Sequence, residues 1–102
     1  MKIYANGMHY AALNAAVRQS EENIEIFGCV GQRYVGAGLE NKKIVIHGTP
    51  GNALGAYLNG AELTVEGNVQ EATGDTMNGG VIEVHGSAGD ATGYAMRGGK
   101  IF

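Results

Sequence analysis

A single cysteine, Cys29, stands in the 102-residue sequence, which excludes an intramolecular disulfide and any CxxC-type metal or redox motif and points to a reduced, cytoplasmic setting. Long hydrophobic runs are lacking as well. No stretch approaches the roughly 20 apolar residues of a membrane span, and Met1 to Tyr10, which carries Lys2 and His9, has no apolar core of signal-peptide length. The expectation is a soluble, unexported protein. Positive charge is scarce: seven Lys and Arg against ten Asp and Glu leave a net charge of −3, with the basic residues scattered along the chain. Without a basic stripe, neither nucleic acid nor a membrane surface is expected as a partner. Proline occurs once, whereas glycine occurs 18 times and hydrophobic residues make up 44%. Disordered Gly-rich tracts lack the short Ile and Val runs that recur here, so the glycines read as turn residues of one packed domain.

What is present is a repeat. Ile44-Val45-Ile46-His47-Gly48, Leu63-Thr64-Val65-Glu66-Gly67 and Ile82-Glu83-Val84-His85-Gly86 follow one another at nineteen residues, and Ile24-Glu25-Ile26-Phe27-Gly28 precedes them by twenty. Gly36, Gly55, Gly74 and Gly93 hold a strict spacing of nineteen, while Gly31 to Gly36 is one residue longer than Gly51 to Gly55. The extra residue is therefore expected near Gln32 to Val35. Another column runs Asn41, Gly60, Gly79, Gly98, and Asn is the next best residue after Gly for a left-handed backbone. Structural turns are thus assigned to Gly48, Gly55, Gly60, Gly67, Gly74, Gly79, Gly86, Gly93 and Gly98.

The alternation that opens each repeat predicts a strand with one buried face, and so short a unit has to stack on its neighbours to bury that face. Equivalent residues then lie about 4.8 Å apart in ladders. Four are predicted as core: Ile24, Ile44, Leu63, Ile82, Ile101; Ile26, Ile46, Val65, Val84; Leu39, Leu58, Met77, Met96; and Ala53, Ala72, Ala91. The fold class is an all-β solenoid, a single-stranded parallel β-helix of about four 19-residue coils, right-handed by the crossover rule. A leucine-rich repeat fits Leu63 to Asn68 in part, but the other copies lack that Asn and the preceding leucines. Residues 24–102 form the helix of coils and residues 1–23 lead into it. Within the leader, Asn6-Gly7 predicts a helix cap, with a helix from about Met8 that puts Tyr10, Leu13, Ala16 and Val17 on one face and Asn14 off it. Met1 to Ala5 offers one more strand, and the helix covers one end of the solenoid.

The glycine pattern, with Gly28-Cys29-Val30-Gly31-Gln32-Arg33, Gly48-Thr49-Pro50-Gly51-Asn52-Ala53-Leu54-Gly55, Gly74-Asp75-Thr76-Met77-Asn78-Gly79 and Gly89-Asp90-Ala91-Thr92-Gly93-Tyr94-Ala95-Met96-Arg97-Gly98-Gly99, resembles the GXGXG domain at the C-terminus of the glutamate synthase large subunit. Gly7-Met8-His9-Tyr10 with Leu13-Asn14 resembles the stand-alone versions of that domain. One of the subunits of formylmethanofuran dehydrogenase is similar in the same motifs. The resemblance implies a right-handed β-helix that holds amidotransferase and flavin-containing synthase domains in place and supplies no catalytic residue or cofactor site. The implied partners are glutamate synthase-type amidotransferase and synthase chains. The family continues with further coils past the point at which Ile101-Phe102 begins a fifth strand. An end exposed there is expected to pair with a second copy, giving a homodimer centred on Ile101 and Phe102.

Individual side chains offer one competing chemistry. His47, Glu66 and His85 fall in one outward column on successive coils, and two histidines with a carboxylate can bind iron or zinc. That set is the alternative reading, an independent metal-dependent enzyme or a subunit of a formylmethanofuran dehydrogenase-like complex. A solvated column is preferred, since no outer partner that would orient the imidazoles can be identified from the sequence. Cys29, between Gly28 and Val30 in a turn, reads as a small buried thiol. Neither Gly79-Gly80 nor Gly98-Gly99 is followed by a helix or by Lys-Ser/Thr, so neither is a phosphate loop. Asp75 and Asp90 occupy different coil positions and lack the spacing of calcium-binding repeats.

Overall fold

The computed structural model describes residues 2–20, 22–89, 92–93, 96 and 98–102; Met1, Asp90 and Ala91, which enter the expectations above, lie outside this set. The elements run β1 (Lys2–Tyr4), α1 (Tyr10–Arg18), β2 (Asn23–Val30), β3 (Lys43–Thr49), β4 (Asn59–Glu66), β5 (Gly79–Val84) and β6 (Lys100–Ile101). All six strands join one parallel sheet in chain order, β1-β2-β3-β4-β5-β6. Each return to the same sheet edge is one coil, so the chain is a β-solenoid of about five turns. The count exceeds the four read from the repeat because Lys2–Tyr4 and Lys100–Ile101 each pair with a neighbour.

The register follows the apolar alternation. Ile24, Ile44, Leu63, Ile82 and Ile101 are successive partners, and Ile3, Ile26, Ile46, Val65 and Val84 form the next column. A shift of one residue would expose both columns, so burial fixes the pairing. Turn segments close each coil and stack at the repeat spacing, with Gly55 N–H on Val35 O and Gly74 N–H on Leu54 O, each at 2.8 Å. Leu39, Leu58 and Met77 fill the interior behind them.

Three expectations are corrected here. Ala53 and Ala72 are not core residues. Both sit half-buried with φ of 61° and 59°, and the interior column beside them is Val35, Leu54 and Thr73. Next, the extra residue of the first coil lies in β2 and not near Gln32 to Val35. Ile26 pairs with Ile46 but Cys29 pairs with Gly48, so Phe27 and Gly28 together oppose His47 in a bulge, with Gly28 at φ 71°. Finally, the left-handed column holds at Asn41 and Gly60 and then passes to Gly80 and Gly99, because a second irregularity shifts the register between Asn59 and Glu62.

Helix α1 starts later than expected. His9 is its N-cap and accepts the Ala11 N–H at 3.2 Å through Nδ1. Leu13 and Val17 face the core, and so does Asn14, only 5% exposed. No helix among the described residues is long and apolar enough to cross a membrane.

Candidate functional site

Strand alternation sends every second side chain outward, and parallel stacking aligns these into columns. One column carries Tyr4, Phe27, His47, Glu66 and His85; its neighbour carries Lys2, Glu25, Val45, Thr64 and Glu83. The proposed metal set therefore does line up, but its members choose different partners. His47 stacks flat on Phe27, with centroids 4.6 Å apart and an interplanar angle of 2°, and its Nε2 meets Glu25 Oε2 at 2.7 Å. His85 turns the other way, with Nδ1 2.9 Å from Glu66 Oε1 and Nε2 2.8 Å from Glu83 Oε1. Hydrogen bonds accepted by Glu83 and Glu66 favour the protonated ring and raise the His85 pKa above the usual imidazole value. Both ring nitrogens of His85 are thus engaged by carboxylates. Among the described residues, no group of three His, Cys, Asp or Glu side chains is arranged to hold a metal ion.

Cys29 is fully buried and donates through Sγ to Gln32 Oε1 at 3.2 Å. Burial pushes its pKa up to about 11, against a smaller opposing effect of a backbone hydrogen bond with Gln32. A thiol held in this way is a poor nucleophile near neutrality. Gln32 itself is 6% exposed and satisfies four groups: Oε1 also accepts from Val30 N–H at 2.7 Å, and Nε2 donates to Ala5 O at 2.9 Å and Met8 O at 3.2 Å. Asn14 works similarly on the helix side, donating to Tyr10 O at 2.9 Å and Arg33 O at 3.0 Å and accepting from Gly36 N–H at 3.2 Å. Neither amide role is identifiable from composition or motif. The one available signal is spacing, because Asn14 lies nineteen residues before Arg33, at the position of an earlier coil.

Two of the glycine columns have distinct causes. Gly36, Gly55, Gly74 and Gly93 all lie between φ 64° and 74°, and a Cβ on Gly55 would come within 2.7 Å of Ile82 Cδ1 in the core. At Gly48, Gly67 and Gly86 the cause is close approach: a Cβ would strike the carbonyl oxygen of Cys29, Gly48 and Gly67 respectively on the coil before.

An open groove of about 750 Å³ runs along the solenoid where the turns enter the strands. Asn41, Gly60, Gly80 and Gly99 line it, beside an outward column in which Lys43 Nζ lies 3.6 Å from Glu62 Oε2. Ile101 is half-buried at the top of its ladder, and Phe102 is 69% exposed while exchanging backbone bonds with Ile82 and Val84. The groove carries charge of both signs, and the Phe102 ring stands exposed near its end.

Compared with known protein families, residues 11–102 match the family described by the GXGXG motif. No curated protein matches the chain, and no solved structure does.

Proposed function

The chain belongs to the GXGXG motif family, and on that premise we propose that it is a non-catalytic structural and interaction module of a glutamate synthase-type assembly, serving glutamate biosynthesis. The observation that carries the reading is the extent of the match, which takes in all but the first residue of the helix and every coil from β2 onward. The chemistry of the side chains supports it. The interior is filled by Ile, Leu, Val and Met ladders, the one cysteine is buried as a thiol, and His85 is occupied by two carboxylates. A stack of hydrogen-bonded coils measuring 30 × 25 × 21 Å, with mixed charge outside, is suited to sitting between an amidotransferase and a synthase.

The reading is tested by mixing the purified chain with separately produced amidotransferase and synthase chains. Co-elution of the three, with glutamine-dependent glutamate formation that needs all of them, is expected. The chain by itself is expected neither to bind FMN or NADPH nor to turn over glutamine. Failure to join either partner, or glutaminase activity of the chain alone, removes the proposal.

A further inference from the structure

Three Asn-Gly pairs occur in the sequence, at Asn6-Gly7, Asn59-Gly60 and Asn78-Gly79. Glycine after asparagine leaves the next backbone nitrogen unshielded from the side-chain carboxamide, so each pair is chemically able to close to a cyclic imide. The fold treats the three differently. Asn59-Gly60 opens β4, inside the sheet, where the Asn59 N–H on Leu39 O at 2.9 Å and the pairing of Asn59 with Gly79 hold the backbone against the rotation that ring closure by the Gly60 nitrogen requires. Gly79 begins β5 and donates its N–H to Leu58 O at 3.1 Å, which engages the nitrogen that would attack Asn78.

Asn6-Gly7 instead forms an exposed turn between β1 and α1, closed by the Met8 N–H on Ala5 O at 2.9 Å. Gly7 has φ 74° and nothing within 4 Å of where a Cβ would stand, and its N–H donates to no acceptor among the described residues.

We propose that Asn6 is a site of spontaneous modification, converted through a succinimide to an isoaspartyl residue that loosens the cap over the first coil. The Gly7 nitrogen bonds to the side-chain carbonyl carbon of Asn6, and its proton leaves with the displaced amide nitrogen as ammonia. Water then adds across one imide C–N bond, opening the ring to aspartate or, at the other carbonyl, to isoaspartate. No electrons are transferred. The isoaspartyl product carries an added methylene in the main chain, and it falls where the fold leaves little slack. Ala5 O and Met8 O, on either side of the turn, are both held by Gln32 Nε2, and the Asn6 side chain lies on Gly28. A lengthened turn cannot keep both carbonyls on one amide. When Gln32 shifts, its Oε1 also leaves Cys29 Sγ and the Val30 N–H, so the buried thiol becomes reachable. The partner that recognises this product is a methyltransferase selective for isoaspartyl carboxylates.

The test holds the folded full chain in mildly alkaline buffer and follows each Asn by peptide mass spectrometry, with isoaspartate counted by methylation with such a methyltransferase. Asn6 is expected to convert several-fold faster than Asn59 and Asn78, and the difference to vanish in denaturant. Cys29 labelling by a thiol reagent is expected to rise several-fold in the isoaspartyl fraction. The variant Asn6→Asp, which adds the charge without the methylene, is expected to label like the unconverted protein. Conversion of Asn59 or Asn78 as fast as Asn6 in the folded chain overturns the site. Unchanged labelling of the isoaspartyl fraction, or raised labelling of Asn6→Asp, overturns the loosening by a lengthened main chain.

Discussion

The middle of the solenoid and its helix-covered end solve one problem by different means. Between β3 and β4 the register is unbroken from Lys43 with Glu62 to His47 with Glu66, and the coils meet one another mainly through backbone groups, with Asn52 and Asn68 accepting from the Glu71 and Ser87 N–H at the exposed turns. At the covered end no full coil lies below the first turn segment, and side-chain amides stand in: Asn14 takes Arg33 O and the Gly36 N–H, and Gln32 ties Ala5 and Met8 to β2. The first coil also carries the bulge at Phe27 and Gly28. A repeat can thus close its interior by periodicity, but closing an end takes particular residues, since buried N–H and C=O groups left without partners are costly.

The largest effect is expected from breaking the regular region. Gly55→Val places a β-branched residue at φ 64° and drives its Cβ to 2.7 Å from Ile82 Cδ1. Left-handed strain and overpacking together should cost about 2 to 5 kcal/mol, read as a lowered urea midpoint with the loss felt across the whole transition. A smaller and more local effect is expected at the end. Asn14→Ala strands Arg33 O and the Gly36 N–H in the interior, for about 1 to 3 kcal/mol. Hydrogen exchange should show faster amides around residues 33–36 with little change at Gly55 or Gly74; uniform acceleration in all coils would erase the distinction between end and middle.

The smallest effect belongs to the outer surface. His85 has a raised pKa in the fold because Glu83 and Glu66 favour its protonated form. Protons are therefore bound more tightly folded than unfolded, and the sign follows: the contribution is fully present below the unfolded imidazole value of about 6.5 and is lost as pH rises through the higher folded value. Because the side chain is exposed to solvent, the change should be slight. Glu83→Gln is expected to lower the His85 pKa measured by NMR titration; an unchanged value would mean that the two carboxylates do not hold the ring in solution.

Much of the fold is legible in the sequence because repetition reports geometry. Ile24, Ile44, Leu63, Ile82 and Ile101 can be stacked from spacing alone, since strands with one buried face tolerate no other register. The failures come where identical letters occupy different positions. Matching Gly28 to Gly48 and Gly31 to Gly51 puts the extra residue too late, whereas Gly48 faces Cys29 and the Gly51 N–H meets Gln32 O. Ala53 and Ala72 are apolar, but their left-handed backbone turns the next residue inward instead. A helical wheel places Asn14 off the apolar stripe of α1 because it counts polarity and cannot see which backbone groups wait below. In the outward histidine column, alignment is readable but pairing is not: Glu83 reaches His85 from the same coil and Glu25 reaches His47 from the coil before, and side-chain choice between columns leaves no trace in the period.

One property of Asn14 reaches beyond stability. Because it meets Arg33 at the same separation that divides successive coils, end closure depends only on the first coil and is indifferent to how many follow. The border of β3 with β4 runs without a bulge from Lys43 with Glu62 to His47 with Glu66, whereas the borders of β2 with β3 and of β4 with β5 each carry a register shift. A coil added at that regular border would leave Asn14 and Gln32 with their partners, so the solenoid could lengthen in steps of one coil rise, about 4.8 Å, under an unchanged lid. A spacer between two larger bodies could be tuned that way by duplication, one rung at a time.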